Sequence, residues 1–251
     1  MKILAIQGSP RMKKGYTDKC LQTFLAGAKE AGAEVETAYL SKMNIKYCTG
    51  CFNCWLVTPG RCIYRDKDDM HGLLQKWRGV DVMIWATPVY IDGVSAQLKT
   101  MMDRMLPGAL PYIDDTGEEG HSQHPSRRKA KEKKKLLLMS TCGFGEIDNF
   151  DPMVMHIKAA VHNMADYDYA GALLRPMAGG LDENINKDTA KVQKVLDAYT
   201  KAGKELVTEG KISEESFKAV SVPLMSMKEL AENTNAFIDA STGSQRPEAK
   251  K

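Results

Sequence analysis

The chain has 251 residues and lacks any apolar run approaching the ~18 residues that a membrane-crossing helix needs. Its opening residues, MKILAIQGSPR, carry one lysine and a short apolar stretch, too little for the apolar region of a secretory signal. That predicts a cytoplasmic protein. Charge of one sign is also missing: 35 basic residues face 32 acidic ones, a net charge of +3. So balanced a chain does not announce a nucleic-acid or membrane-surface partner. No internal repeat is visible, which excludes a solenoid. Neither G-x-G-x-x-G nor a Walker loop occurs, which removes the main support for a dinucleotide fold or a P-loop enzyme. The apolar fraction of 43% and charged fraction of 27% are ordinary for a globular chain. A chain of this length buries a core without help from disulfides or metals. Cysteine is what stands out. There are six, and Cys48, Cys51, Cys54 and Cys62 fall in one short segment. In a reducing compartment such a cluster points to metal binding or catalysis rather than to a disulfide framework.

Buried-strand patterns alternate with helical ones along the chain. Lys2 to Gln7 is an apolar run ended by Gly8-Ser9-Pro10, and Asp81 to Ala86 and Leu136 to Thr141 read the same way. Glu34 to Leu40 alternates and suits a sheet edge; Tyr169 to Leu174 is a fifth strand. Helices are predicted from about Thr17 to Gly32, after Asp68-Asp69, after Ser95, from Asp151 to about Met164 and from Ala190 to Val207. This order gives an α/β fold, a doubly wound five-stranded parallel sheet covered on both faces. It occupies residues 1–210, with a polar insertion at 107–135. Residues 211–251 form a helical appendage, roughly Glu214 to Ala219 and Met227 to Ile238, with a disordered tail from Ser241 to Lys251.

Ligands of open α/β sheets bind outside the carboxyl ends of the strands. Three such ends carry suggestive loops: Gly8 to Thr17, Thr87 to Tyr90, and Thr141 to Phe144. The first opens a helix, where backbone N–H groups and the dipole favour an anion. Ser9, Tyr16 and Thr17 add hydroxyls there and Arg11 a charged fork, which suits a monophosphate; the plainer alternative is a polar turn with a helix cap.

The segments GSPRMKKGYT, ATPVYIDGVSAQLKTMMDR and STCGF resemble the flavodoxin-like NAD(P)H-dependent FMN reductases, over residues 1 to 210. The segment CTGCFNCW…GRCIYRDKDDM resembles the iron–sulfur flavoprotein branch of that family. The resemblance implies that Ser9, Arg11, Tyr16 and Thr17 hold the FMN phosphate, although family members often carry Asn at the Tyr16 position. Thr87, Pro88, Val89 and Tyr90 would line the ribityl chain and ring system, with Cys142, Gly143 and Phe144 on the third loop. The flavin carries the chemistry, so no catalytic acid, base or nucleophile is assigned. NAD(P)H is the implied electron donor, alongside a redox partner protein, and a homodimer or higher homo-oligomer is implied.

The cysteines follow C-x2-C-x2-C-x7-C. Three thiolates two residues apart converge on a cubane face as in ferredoxin-type runs, and the fourth returns past Pro59-Gly60. With the resemblance, Cys48, Cys51, Cys54 and Cys62 become ligands of a 4Fe-4S cluster. Free thiols in a substrate-side loop, and zinc or a disulfide, stay open. Phe52 and Trp55 would shield a cluster or form a dimer contact. Cys20 reads as a buried small hydrophobe. The basic run Arg127 to Lys135 reads as a solvated loop flank and His121 and His124 as exposed loop histidines. Three functions follow: an FMN oxidoreductase passing electrons through a 4Fe-4S cluster, a plain NAD(P)H-dependent FMN or quinone reductase without one, or a non-enzymatic flavodoxin-like module.

Overall fold

The structure is a computed structural model and describes residues 1–114, 122–128 and 132–243. The parts of the insertion at 115–121, which include His121, and at 129–131, within the basic run, and the tail at 244–251 lie outside the described residues.

Strands β1 (Lys2–Gln7), β2 (Glu34–Tyr39), β3 (Val82–Pro88), β4 (Lys134–Thr141) and β5 (Tyr167–Arg175) form one parallel sheet in the order β2-β1-β3-β4-β5. Helices α1 (Tyr16–Glu30) and α6 (Thr189–Thr208) cover one face. Helices α3 (Met70–Arg78), α4 (Ala96–Asp103) and α5 (Asp151–His162) cover the other. Period-two alternation in the buried strands makes this possible. Ile3 and Ala5 of β1 pack toward α1 and α6, while Leu4 and Ile6 pack toward α3, α4 and α5. The two edge strands, β2 and β5, are partly wet, as the charged residues of β2 predict.

Several strand ends differ from the sequence expectation, among them those of β5, expected at Tyr169 to Leu174. β3 runs on through Thr87 and Pro88, because Pro88 pairs with Thr141 in register; lacking an N–H, proline is tolerated at this last position. β4 begins at Lys134, so the insertion is shorter than 107–135. The ammonium of Lys134 donates to the carbonyls of Trp77 and Arg78, and that of Lys135 to the carbonyl of Gly210. Their stems join the sheet while their heads reach its rim. Helix α7 (Glu214–Ser221) packs on β5, and Ile212, Val220 and Leu224 enter the core. Buried Arg175 holds that segment by donating to the carbonyls of Val220 and Val222. Helix α8 (Met227–Thr242) buries no residue, and it contains Ser241 and Thr242, which the sequence assigned to a disordered tail.

Helices α1 and α6 cross backbone to backbone. A Cβ on Gly27 would overlap the Thr200 carbonyl, and one on Gly203 would overlap the Phe24 carbonyl. Gly27→Ala therefore should destabilise the fold by about 2–3 kcal/mol through overpacking, read as a lower urea midpoint with unchanged m-value. A second strained point lies after β3. Tyr90 and Gly93 bridge a turn whose central residues, Ile91 (φ 47) and Asp92 (φ 56), are both left-handed. A β-branched residue is a poor choice there, and Ile91 is 99% exposed, so no packing compensates. Ile91→Asn should raise stability by about 1 kcal/mol in the same unfolding measurement.

Candidate functional site

The loops after β1, β3 and β4 meet because their strands are neighbours, and β1 and β3 flank the point where the chain reverses direction across the sheet. Hydrogen bonds lock them together. The Ser95 hydroxyl donates to the Gly8 carbonyl (2.7 Å), and the Ser95 N–H donates to the Thr87 hydroxyl (3.0 Å). Ser95 also caps α4 by accepting from the Leu98 N–H, as its sequence position predicts. The hydroxyls of Thr17 and Thr141 share a hydrogen bond of 2.7 Å, which ties the start of α1 to the end of β4. The Val89 N–H donates to the Thr141 carbonyl (2.9 Å). The sequence reading has Thr141 at the start of the third loop and Ser95 as a helix start, but assigns neither side chain a role at the site.

The first loop leads into a helix start. Gly15 precedes α1, and no side chain among the described residues caps that helix. The Asp18 N–H turns back to the Gly15 carbonyl (3.1 Å), which leaves the Tyr16 and Thr17 N–H groups without an intrahelical acceptor at the positive end of the dipole. Ser9 and Thr17 are buried beside this end. The Ser9 N–H donates to the Gln7 amide oxygen (2.6 Å), and the Arg11 N–H to the Ser9 hydroxyl (3.3 Å). The buried Gln7 amide nitrogen has no partner among the described residues. Arg11 is exposed and stacks over the Tyr16 ring at 5.9 Å. The Tyr16 hydroxyl is turned to Asp182, to which it donates at 3.4 Å; burial and that carboxylate both push the phenol pKa up.

The other two loops offer apolar and aromatic surface. Pro88 is buried at the strand end, while Tyr90 is 46% and Phe144 66% exposed. A Cβ on Gly143 would meet nothing within contact distance, so the backbone beside Phe144 is open. Cys142 is buried, and burial pushes its thiol pKa up despite the Phe144 and Gly143 N–H groups. A nucleophile needs the opposite shift. Open backbone, exposed rings and an uncapped helix start suit a planar ring system carrying a phosphate.

The cysteine segment is a long excursion between β2 and α3, closed at its base by carboxylates. The Asn44 N–H donates to Asp69 (2.7 Å) and the Lys46 N–H to Asp68 (3.1 Å). Arg104, just past α4, donates to Asp68 (2.5 Å) and to the Lys46 carbonyl (2.6 Å). Burial opposes the charge of both partners. It is the largest single effect on each, and the hydrogen bond between them together with their opposite charges, and at Asp68 the Lys46 and Met70 N–H groups, outweighs it, leaving Asp68 below and Arg104 above their ordinary pKa values. Within the loop, left-handed Gly50 and Phe52 lead into the short helix α2 (Asn53–Leu56), which the sequence reading did not contain. Cys54 is buried, Cys48 and Cys62 half-buried, and Cys51 exposed. Burial pushes the Cys54 thiol up, and Cys62 raises it further, with smaller effects from Cys48 and Cys51. The four sulfurs therefore share one electrostatic neighbourhood. Among the described residues they are not drawn into metal-ligating geometry. The donor set itself, four thiols on a loop with left-handed turns, suits an iron–sulfur cluster.

The insertion lies on this loop. The Trp55 indole N–H donates to the Leu106 carbonyl (2.9 Å), and its ring packs in tilted contact with His124 (4.8 Å between centres) and Phe52 (5.6 Å). The expectation of an exposed loop histidine is corrected here: His124 packs on Trp55, and its Nδ1 meets the Tyr112 carbonyl at 2.8 Å. Arg127 donates to the carbonyls of Pro107 (3.2 Å) and Ala109 (3.3 Å), which gives it a fixed place instead of a solvated one.

A family model described as NADPH-dependent FMN reductase matches residues 1–165. An iron-sulfur flavoprotein of Archaeoglobus fulgidus is 44% identical over 107 residues, 43% of this chain and 46% of that protein. An iron-sulfur flavoprotein of Methanocaldococcus jannaschii is 38% identical over 107 residues, 43% of this chain and 53% of that protein. The chain thus spans about half the length of the curated relatives it matches. In fold it is similar to an FMN-dependent NADH-azoreductase from Bacillus anthracis in complex with FMN, with TM-score 0.59 and 17% identity over 82% of this chain and 99% of that one. It is also similar to an NAD(P)H:quinone oxidoreductase from Methanothermobacter marburgensis, with TM-score 0.54 and 15% identity over 82% of this chain and 95% of that one. The chain belongs to the NADPH-dependent FMN reductase family, and its curated relatives are iron–sulfur flavoproteins.

Proposed function

We propose that the chain is an FMN-dependent oxidoreductase that takes electrons from NAD(P)H or a redox partner protein and passes them through a 4Fe-4S cluster. The observation that carries this reading is the pairing of an uncapped helix start, flanked by Ser9 and Thr17, with four cysteines gathered on the neighbouring loop. When bound, FMN supplies hydride chemistry and the cluster supplies one-electron transfer.

The residues have limited work to do around such groups. Ser9 and Thr17 donate hydroxyls to the phosphate, the first N–H groups of α1 add to them, and Arg11 supplies charge. The Tyr16 hydroxyl is committed to Asp182, so that residue contributes its backbone N–H. Thr87 is held by Ser95 and orients the second loop. Pro88, with no N–H, lets a ring pass close over backbone, and Val89 and Tyr90 wall it. Cys142, Gly143 and Phe144 line the third side; Cys142 stays a protonated, non-nucleophilic thiol. Cys48, Cys51, Cys54 and Cys62 hold the iron, with Phe52 and Trp55 excluding water beside them. No side chain is asked to move a proton. Reduced thiols in a cytoplasm, and a homo-oligomer, belong to the same reading. Among the described residues no helix is long and apolar enough to cross a membrane.

A second reading, a plain flavin reductase with free thiols, draws on the exposed Cys51 and on the spread of the four sulfurs, which among the described residues do not form a ligating group. Anaerobic purification with flavin, iron and sulfide assayed together separates the two. The proposal expects iron and sulfide in equal amounts beside flavin, and Cys51→Ala losing iron while keeping flavin. Flavin without iron or sulfide, with Cys51→Ala unchanged, leaves the plain reductase. Protein that takes up no added FMN is the non-enzymatic module. At the phosphate loop, Ser9→Ala and Thr17→Val should each weaken FMN binding by about 10–100-fold in a fluorescence titration, the loss of a hydrogen bond to a charged group. Tyr16→Phe should stay within about threefold of the parent, well under 1 kcal/mol.

A further inference from the structure

Helix α8 buries no residue, so neither core accounts for it, yet its start is fixed. The Ser226 hydroxyl accepts from the Glu229 N–H (3.2 Å), and the Glu229 carboxylate accepts from the Ser226 N–H (2.7 Å), a complete capping box. Met227 follows at the first helical position, 47% exposed. Its side chain lies on Gly145, where a Cβ would overlap the Met227 sulfur and the Met177 methyl. Gly145 is the next residue after Gly143 and Phe144, on the loop assigned to the flavin. The stretch 174–180 links this loop to the C-terminal segment. On one side, the Cys142 N–H donates to the Arg175 carbonyl (3.0 Å). The Met177 N–H donates to the Phe144 carbonyl (2.8 Å) and the Ala178 N–H to the Cys142 carbonyl (2.9 Å). On the other side, the buried Arg175 guanidinium donates to the carbonyls of Val220 and Val222 (both 2.7 Å), and the Ser221 hydroxyl to that of Leu174 (2.8 Å). Leu224 and Met225 are buried against Gly180, where a Cβ would press on both (3.1 and 3.0 Å). Met177, where the two sides meet, has a left-handed backbone (φ 51) that residues other than glycine rarely adopt.

We propose that the C-terminal segment braces the flavin loop: Met227 and Met177 pack on Gly145 and so set where Gly143 and Phe144 stand against the flavin ring. The inference rests on the FMN reading above and goes beyond it in giving a helix outside the five-stranded unit a part in the site. Met227 is a positioning residue and is not asked to touch the flavin. Methionine suits the contact, because its unbranched thioether fills the irregular space beside a glycine. The capping box matters for the same reason: it fixes the turn of α8 from which Met227 projects.

Three readouts on the full chain test this. Met227→Ala opens space beside Gly145, and Met227 belongs to neither core, so the urea midpoint should stay near that of the parent. Amide hydrogen exchange over residues 142–145 of FMN-free protein should quicken about 5–10-fold, with β1 and β3 unchanged. FMN should bind about 5–10-fold more weakly in a fluorescence titration. At saturating FMN, the visible circular dichroism of the bound flavin should differ from that of the parent, because the loop meets the ring differently. Met227→Leu, close in volume, should return all three readouts toward the parent. A merely structural contact would lower the urea midpoint while leaving loop exchange and the bound flavin's spectrum as they were. A parent-like value for any one of the three readouts in Met227→Ala overturns the proposal. If that variant does not fold, Ser226→Ala takes its place: it removes the cap and should move the same readouts in the same direction. Parent protein that takes up no added FMN sinks the flavin reading alone. Loop exchange then decides the brace, with quickening of about 5-fold or more supporting it and equal exchange refuting it.

Discussion

Burial of β1, β3 and β4 on both faces is the constraint from which the rest follows. Their side chains are committed to two cores, so these strands can present chemistry only at their carboxyl ends. The order β2-β1-β3-β4-β5 makes those ends neighbours, and Ser95, Thr141 and Thr17 cross-link the loops that leave them. The crest is thereby preorganised. It has an uncapped helix start for an anion, with apolar and aromatic walls beside it. The glycine contact of α1 with α6 sets how closely these two helices lie side by side on one face of the sheet.

The cysteine loop obeys a different logic. It has almost no apolar anchor of its own, and Cys54 is the one thiol of the four that is buried. Its base is closed by Asp68, Asp69 and Arg104, and its outer side by Trp55 against Leu106 and His124. The insertion and the cysteine loop thus form one unit, although they are distant in sequence.

Most of the fold was legible because it is written in local patterns. Continuous apolar runs marked β1, β3 and β4, alternation marked the edge strand, and Ser95 marked the start of α4. The misses have physical causes. Lys134 and Lys135 look like loop residues, but their stems join β4 while their charges reach carbonyls at the rim. Helix α2 spans four residues and is too short for any periodicity to show. Of the candidate site, the loops and the cysteines were legible as motifs. Pairings between distant residues were not: Arg104 with Asp68, Thr17 with Thr141, Tyr16 with Asp182, Trp55 with His124. Nothing local distinguishes a buried Arg104 from an ordinary basic residue at a helix end.

The central claim is that one chain joins a flavin crest to an iron loop as a single electron path. Low-temperature electron paramagnetic resonance of anaerobic protein mixed with NADPH or NADH tests it most directly. The account predicts that flavin absorbance bleaches and the signal of a reduced four-iron cluster appears, with Cys51→Ala keeping the bleaching and losing the signal. Full bleaching with no iron signal in the parent protein would contradict it.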